Sequence, residues 1–306
     1  MNNLLLIGGS GFLGSHVRDI LRRRGQHCTI VSRDPSQLEG EISSNEQVLP
    51  YDITQWEAAI GLNKVKSIVY LAGGSSPGAN PDSVSNEISR NVVSAASDFL
   101  RYSEFCPNAN HILISSGGAI YGNTDKELVD ESEPARPISP YGLGKLFVEE
   151  SLKYASRRYG FSFRILRVSN AVGIHHSSLN QGLVAAALRS AAHGHLFSLF
   201  GDGSAVRDYV HADDVAQAIL FAGENSNVKS GIWNIGSGVG HSIVDILTLV
   251  EKITGMLIPV IKKDFRVSDV SRIVLDCRKA AIDFDWRAHR DLESAIRELW
   301  QKRDPR

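Results

Sequence analysis

Tyr141 and Lys145 have residue types and a spacing that suit proton transfer. They lie four positions apart in the segment SPYGLGK, residues 139–145. On a helix, residues four apart share one face. An ammonium beside a phenol favours the phenolate, which can take a proton from a hydroxyl while hydride leaves the same carbon. Such a pair is also common on exposed amphipathic helices, so its interpretation depends on the rest of the chain.

A glycine-rich turn near the N-terminus supplies that context. Residues 4–15 read LLLIGGSGFLGS, with glycines three apart between an apolar run and a helical pattern. Glycine allows a tight turn and a close approach of the backbone to a pyrophosphate, and the new helix offers free N–H groups to the phosphates. A purely structural glycine loop is the alternative. The pattern predicts a nicotinamide dinucleotide over Gly8, Gly11, Phe12, Leu13 and Gly14.

The first half of the chain alternates between short apolar runs and helical patterns. Strands are predicted at residues 4–7, 28–31, 68–71, 112–114 and 163–168, and helices at 12–24, 85–102 and 141–159. Nearly continuous apolar runs are typical of parallel strands buried on both faces. The alternation predicts an α/β fold with a Rossmann-type, doubly wound parallel sheet.

The second half is less regular and predicts a smaller, mixed α/β substrate-binding lobe. Short strands are predicted at residues 197–200 and 232–235, and apolar residues recur at helical spacing near 243–253 and 292–299. Because no clear linker separates the halves, we expect interleaved units. Residues 1–168 are predicted to form the dinucleotide-binding domain, with segments near 205–236 returning to it, and 169–306 to form mainly the substrate lobe.

The residues after the second predicted strand bear on the choice of dinucleotide. An acidic residue there binds the ribose 2′-hydroxyl of NAD, whereas an arginine accommodates the 2′-phosphate of NADP. This chain has Ser32 and Arg33, followed by Asp34. Arg33 therefore favours NADP if it contacts the cofactor and has no bearing if it is solvated, so both cofactors remain open.

Composition limits the classes of partner. The chain has 306 residues with 33 Lys and Arg against 34 Asp and Glu, which gives no bias towards nucleic acid. Three distant cysteines fit reduced thiols, and no signal peptide or membrane-length apolar run is evident, so we expect a cytoplasmic protein. His175 and His176 are interpreted as solvated loop residues, and no metal site is predicted.

Nine segments in order resemble one known family over nearly the whole chain. The segments are GGSGFLGSH (8–16), YDIT (51–54), LAG (71–73), SSGGAIYG (115–122), SPYGLGK (139–145), LRVSNAVG (166–173), FGDGSAVRDYVHADDVA (200–216), WNIGSGVGHSI (233–243) and SDVSRIVLDCRKA (268–280). The chain resembles the extended short-chain dehydrogenase/reductases, and within them the NAD-dependent epimerase/dehydratase family, of the UDP-glucose 4-epimerase type.

The resemblance implies roles for individual residues. Tyr141 and Lys145 match the catalytic pair. Independently of the resemblance, the Lys145 ammonium is a suitable hydrogen-bond donor to the cofactor ribose. The positions that match further cofactor contacts are Asp52 at the adenine, its neighbour Ile53, and Leu71, Ala72, Gly73 and Asn91. The positions that match substrate contacts are Asn170, the diphosphate-binding arginines Arg207 and Arg266, and Asp269 at the nucleotide ribose.

Two departures from the family pattern concern the chemistry. Relatives place Ser or Thr five residues before the glycine of the YG pair, where this chain has Gly117. Ser116 is the predicted replacement hydroxyl, with Ser115 or water as alternatives. The Asp-Glu pair with which dehydratases eliminate water is replaced by Gly118 and Ala119, which argues against elimination.

The leading hypothesis is an epimerase that inverts C4 of a nucleotide-diphosphate hexose, expected to be UDP-linked, with bound NAD. The alternatives are an NADPH-dependent 4-keto sugar-nucleotide reductase, motivated by Arg33, and a weakly catalytic dinucleotide-binding module, motivated by Gly117. The resemblance also implies a homodimer and a role in polysaccharide biosynthesis.

Overall fold

Thirteen strands and eleven α-helices are defined in the computed structural model, which describes residues 4–38, 40–52, 55–61, 64–73, 84–175, 182–225, 228–265 and 270–302. The strands are β1 (Leu4–Ile7), β2 (Cys28–Ser32), β3 (Glu46–Pro50), β4 (Ser67–Tyr70), β5 (Asn110–Ser116), β6 (Phe163–Val168), β7 (Asn170–Val172), β8 (Phe197–Phe200), β9 (Val206–His211), β10 (Gly231–Ile235), β11 (Gly240–Ser242), β12 (Val260–Lys263) and β13 (Arg272–Ile273). The helices are α1 (Phe12–Arg23), α2 (Trp56–Ile60), α3 (Val84–Glu87), α4 (Val93–Phe105), α5 (Gly117–Ile120), α6 (Pro140–Tyr159), α7 (Leu183–His193), α8 (Ala212–Glu224), α9 (Ile243–Thr254), α10 (Arg278–Phe284) and α11 (Leu292–Lys302).

A seven-stranded sheet runs in the order β10-β6-β5-β4-β1-β2-β3, with every neighbouring pair parallel. One face packs on α1 and α8 through residues such as Val17 and Ile219, and the other on α4 and α6 through Phe99 and Leu152. Burial on both faces explains the continuous apolar runs of the central strands. The predicted α/β fold with a doubly wound parallel sheet is confirmed.

A smaller sheet runs in the order β11-β9-β13, and β7 pairs with β9 as well. β8 and β12 form a separate parallel pair. An apolar cluster of α7, α9, α11 and these strands forms its own core, which includes Leu188, Ile246 and Ile296. β10 lies at the edge of the large sheet although β7, β8 and β9 precede it, so the chain leaves that sheet and returns to it.

Some element bounds differ from the predictions. The helix predicted over 85–102 is α3, then a π-helical turn at Ile88–Val92, then α4. The strand predicted over 68–71 ends at Tyr70. α8 begins after His211, whose side chain caps the helix and accepts a hydrogen bond from the backbone N–H of Asp213.

No helix in the described ranges combines the length and the apolar character that a membrane span needs.

Candidate active site

The crevice at the carboxyl ends of β1 and β4 is where the order of the large sheet reverses. β1 pairs with β2 on one side and β4 on the other, so the loops that follow β1 and β4 lead to helices on opposite faces. Ligands of open α/β sheets bind in such crevices. The glycine turn follows β1, and Leu71–Gly73 follows β4, so two predicted cofactor segments border this crevice.

The turn between β1 and α1 depends on its glycines. Gly8 has a φ of 81°, and a Cβ built there would lie 2.9 Å from the backbone nitrogen of Ala72. A Cβ on Gly14 would lie 2.6 Å from Cα of Gly9. Both positions therefore exclude side chains, and the loop after β4 rests directly on the turn after β1.

The N-terminus of α1 suits a pyrophosphate. Gly11 is the N-cap, no side chain caps the helix there, and the first turn holds no acidic residue. The N–H groups of this turn and the positive end of the helix dipole thus remain available to an anion. This uncapped helix start, with its glycine cradle, fits the dinucleotide that the sequence predicts.

α6 begins one residue before Tyr141. Ser139 accepts a hydrogen bond from the backbone N–H of Gly142 at 3.1 Å, and Pro140 occupies the first turn, where its missing N–H costs nothing. A Cβ on Gly142 would overlap the backbone oxygen of Ala119. The start of α6 is therefore fixed against α5, and Tyr141 lies at the carboxyl edge of the sheet.

Lys145 links the proton-transfer pair to the cofactor crevice. Its Nζ lies 5.7 Å from the centre of the Tyr141 ring and donates a 3.5 Å hydrogen bond to the backbone oxygen of Ile114. It is also 3.6 Å from the position of a Cβ built on Gly73. The ammonium thus stands between the phenol and the loop after β4, as a role in both proton transfer and cofactor binding requires.

The candidate hydroxyls belong to two buried residues. Ser115 and Ser116 end β5 and project to opposite faces of the sheet. The Ser115 hydroxyl is fully enclosed and has no hydrogen-bond partner in the described part of the chain. Ser116 is also buried, with 8% of its surface exposed against 4% for Ser115, and it makes no capping hydrogen bond to α5. The catalytic role of Ser116 stays a prediction, with Ser115 as the alternative.

Other predicted cofactor residues follow the carboxyl ends of β2 and β3. Ser32 is buried and donates to the backbone oxygen of Asp34 at 3.0 Å, whereas Arg33 is exposed. Asp52 is half-exposed and lies 4.0 Å from Arg101 of α4. Ile53 and the side chain of Asn91 lie outside the described residues.

Two predicted substrate residues lie on neighbouring strands of the smaller sheet. Nδ2 of Asn170 donates to the backbone oxygen of Asp208 at 2.8 Å and lies 3.9 Å from a Cβ built on Gly118. Asn170 thus faces the rim of the large sheet near α5. Arg207 is half-buried on β9. Arg266 and Asp269 lie outside the described residues.

A buried ion pair beneath the Tyr-Lys pair was not predicted. Glu149 lies one turn after Lys145, and its carboxylate accepts two hydrogen bonds from Arg167 of β6, at 3.0 and 2.8 Å. The guanidinium lies 4.8 Å from the centre of the Tyr121 ring. The i, i+4 spacing from Lys145 was the signal in the sequence, because it puts Tyr141, Lys145 and Glu149 on one face of α6.

Asp208 is a second residue that sequence reasoning missed. Its buried carboxylate accepts hydrogen bonds from Ser169, Ser237, Gly238 and the backbone of Leu275. Burial raises the pKa of Asp208, although these hydrogen bonds oppose the shift. The residue ties β9, which carries Arg207, to the segments after β6 and β10.

His175 is not a freely solvated residue, since its Nε2 lies 2.6 Å from Oδ2 of Asp19 on α1. His176 lies outside the described residues. Among the residues with described placement, no group of three or more His, Cys, Asp or Glu is arranged to hold a metal ion.

A family model decides the relationship. The model of the NAD dependent epimerase/dehydratase family matches residues 4–236. The chain belongs to this family. The predicted resemblance is thereby confirmed, and residues 4–236 include the glycine turn, the Tyr-Lys pair and β9.

Relatives of this family member match it over almost their full length. It is 26% identical over 314 residues to the UDP-glucose 4-epimerase of Corynebacterium glutamicum, an alignment that covers 97% of this chain and 94% of that protein. The crystal structure of the UDP-glucose 4-epimerase of Thermotoga maritima with UDP-glucose has a TM-score of 0.84 and 30% identity, and the match covers 98% of this chain and 97% of that chain. The corresponding enzyme of Stenotrophomonas maltophila, with bound NAD and formylated UDP-arabinopyranose, has a TM-score of 0.86 and 27% identity, with coverage of 98% and 97%.

Proposed function

We propose that this protein is a sugar-nucleotide 4-epimerase that uses bound NAD and acts on a UDP-linked sugar. The observation that carries the proposal is the position of the Lys145 ammonium between the Tyr141 ring and the loop at Gly73. The similarity to UDP-glucose 4-epimerases extends over nearly the whole chain and supports the same activity.

The residues of the site divide the reaction between them. Tyr141 is the group that accepts the proton of the sugar 4-hydroxyl and returns it after the keto sugar has presented its other face. The Lys145 ammonium, 5.7 Å from the centre of the Tyr141 ring, is the cation beside it. Bound NAD supplies the hydride acceptor and donor at the same carbon. Asn170 and Arg207, with Arg266 and Asp269, are proposed to hold the nucleotide diphosphate, for which the guanidinium fork suits phosphate oxygens.

The other activities of this family and fold have less support. Dehydration needs an acid and a base near the reacting carbon, and Gly118 and Ala119 provide neither. A reductase with NADPH was motivated by Arg33, which is exposed, and the enzyme of S. maltophila carries NAD. A non-catalytic module would not need the Tyr-Lys pair beside the crevice.

The test begins with the purified protein. Denaturation and mass spectrometry should release NAD(H). UDP-glucose, UDP-N-acetylglucosamine, UDP-glucuronic acid and UDP-xylose, each supplied without added cofactor, should then give a 4-epimer of at least one. Absence of any epimer across this panel from dinucleotide-loaded protein would contradict the proposal. Net consumption of NADPH with a 4-keto sugar nucleotide would instead favour the reductase.

We infer that the protein is a homodimer that pairs through α4 and α6. These helices pack on each other, and their outer faces expose Leu100, Phe147 and Tyr154 around a surface cavity of about 360 Å³. Exposed apolar patches of this kind mark protein contacts. A cytoplasmic location stays a prediction from the cysteines and apolar runs of the sequence, and a role in polysaccharide synthesis stays a prediction from the resemblance.

A further inference from the structure

His16 connects the cofactor helix to the strand that carries Arg207. It is a fully buried residue of α1, one turn after Phe12. Its Nδ1 lies 2.5 Å from Oδ1 of Asp213. Asp213 belongs to the first turn of α8, directly after β9. One hydrogen bond therefore joins the helix at the predicted pyrophosphate site to the end of a predicted substrate-binding strand.

The His16 ring also contacts the segment after β7, the strand that begins with Asn170. A Cβ built on Gly173 would lie 2.5 Å from Nε2 of His16 and 2.6 Å from Cβ of Ala212. The imidazole thus occupies the space that a side chain at position 173 would need. Because only glycine fits there, the segment after β7 rests directly on α1.

A second contact repeats this connection nearer the surface. His175 packs edge-on against His16, with 4.7 Å between the ring centres, and its Nε2 reaches Asp19 on α1 at 2.6 Å. The ends of β7 and β9 are therefore both held against α1, and His16 is the buried residue common to these contacts.

The protonation states of His16 and Asp213 determine which of the two donates the hydrogen bond. Burial alone would raise the pKa of Asp213, but the hydrogen bond with His16 and the nearby charge of Arg290 hold it at about 2. Burial lowers the pKa of His16. The Nε2 atom of His16 has no hydrogen-bond partner in the described ranges. A neutral imidazole that donates from Nδ1 to an ionised carboxylate accounts for these features, and such charge-assisted bonds are strong and short.

We propose that His16 is a positioning residue of the epimerase, which fixes α1 in register with the ends of β7 and β9 and so fixes the dinucleotide relative to the sugar nucleotide. The inference rests on the proposed function. A 4-epimerase returns hydrogen to the opposite face of the carbon from which it came, so cofactor and sugar nucleotide must keep one register through two transfers. Misplacement by about 1 Å is enough to cost about 100-fold in rate.

Three variants test this role. His16→Leu removes the hydrogen bond and fills the buried space with an apolar side chain. His16→Asn keeps a side-chain N–H near the position of Nδ1. His27→Leu is the matched control, because His27 is an exposed histidine that follows α1. Each protein is assayed for NAD(H) per chain, unfolding temperature, kcat and KM for UDP-glucose, and the reduced-nicotinamide absorbance at steady state.

The expected result separates positioning from binding. His16→Leu should retain dinucleotide but lose at least about tenfold in kcat with a smaller change in KM, and a larger fraction of its cofactor should remain reduced during turnover. His16→Asn should recover most of the kcat, and His27→Leu should match the wild type. A normal kcat in dinucleotide-loaded His16→Leu would overturn the proposal, as would a loss fully reversed by added NAD.

Asp213→Asn keeps the test decisive if His16→Leu does not fold. It preserves the shape of the side chain but weakens the hydrogen bond to His16, so a larger fraction of the bound cofactor should remain reduced during turnover. An unchanged fraction would refute the positioning role of His16. Failure of the proposed function looks different, because the wild type itself would then epimerise none of the sugar nucleotides.

Discussion

The side chain of Leu275 fills the space beside Gly117. A Cβ built on Gly117 would lie 2.5 Å from Cδ1 of Leu275, and Leu275 is fully buried. The family resemblance implies a hydroxyl residue at this position, but here the side chain of Leu275 occupies that space. The protein hydroxyl that hydrogen-bonds the sugar must therefore come from another residue, and Ser116 at the end of β5 is the predicted one.

Ser116→Ala is expected to lower kcat by about 100-fold, the lower end of what one proton-transfer group contributes. Ser115→Ala is the matched control and should leave kcat nearly unchanged, because its hydroxyl is enclosed by the protein. Steady-state kinetics with UDP-glucose measures both. A larger loss from Ser115→Ala would transfer the role to Ser115, and no loss from either would favour water.

Gly117→Ser should not restore a working hydroxyl at this position, because Leu275 leaves no room for the new side chain. Overpacking against Leu275 is expected to cost about 1–3 kcal/mol in the free energy of unfolding. The double variant Gly117→Ser/Leu275→Ala should recover part of that cost relative to an additive sum of the two single variants. Chemical denaturation measures the three free energies, and strict additivity would show that the two positions do not compete for space.

Tyr141→Phe should reduce turnover by about 10²- to 10⁴-fold and leave the dinucleotide bound, because the change removes only the proton-carrying hydroxyl. Tyr159→Phe is the control on the same helix, where the tyrosine is exposed. Turnover and released NAD(H) are measured for each. A Tyr141→Phe enzyme with the wild-type rate would exclude the proposed proton transfer.

Gly14→Ala should weaken dinucleotide binding, since the new methyl would press on the backbone of Gly9 and displace the turn. Gly223→Ala is the control, because a Cβ there makes an ordinary contact, 3.5 Å from Ile112, within α8. The measurement is the NAD(H) content of the purified variants. Full occupancy in Gly14→Ala would place the cofactor away from this turn.

His111 should make the protein lose stability in acid. It is fully buried, and burial lowers its pKa to about 3. Between about pH 6.5 and 3 the unfolded chain binds a proton here that the native chain does not, so the free energy of unfolding falls as pH falls, by up to about 1.4 kcal/mol per pH unit. His111→Asn should flatten this slope in urea unfolding at several pH values, whereas His27→Asn should not. Equal slopes in both variants would contradict the assignment.

Phe147→Glu should convert the proposed dimer to a monomer, because it places a charge in the apolar surface of α4 and α6. Leu257→Glu changes a leucine that is 85% exposed elsewhere and should leave the assembly unchanged. Sedimentation velocity gives the masses. A monomeric wild type, or a Phe147→Glu variant that remains dimeric, would contradict the proposed dimer contact through α6.

The secondary-structure elements that the sequence predicts are those with a strong local pattern of apolar residues. β1 is a continuous apolar run, and β6 is an apolar run interrupted only by Arg164 and Arg167. α6 has clear start and stop residues, so all three elements follow from the sequence. β3 reads EQVLP, and it lies at the sheet edge with mixed burial, so its pattern is weak. β7 has only three residues and forms because β9 pairs with it.

The candidate site divides in the same way. Tyr141 and Lys145 are neighbours on one helix, so their spacing predicts their proximity. His16 and Asp213 are separated by 197 residues, and Gly117 and Leu275 are also far apart in the sequence. Only the folded chain brings the members of each pair together. Glu149 had a readable spacing, but its partner Arg167 lies on β6, and the buried pair depends on how α6 packs against the sheet.

The return of β10 to the edge of the large sheet has a consequence for unfolding. Because β7–β9 lie between β6 and β10 in sequence, while β6 and β10 are paired partners, the smaller sheet is tethered at both ends to one edge of the larger. Such a tether couples local openings into larger cooperative units. A ligand bound at the turn between β1 and α1 should then protect helix α11 from proteolysis, although the two lie at opposite ends of the sequence.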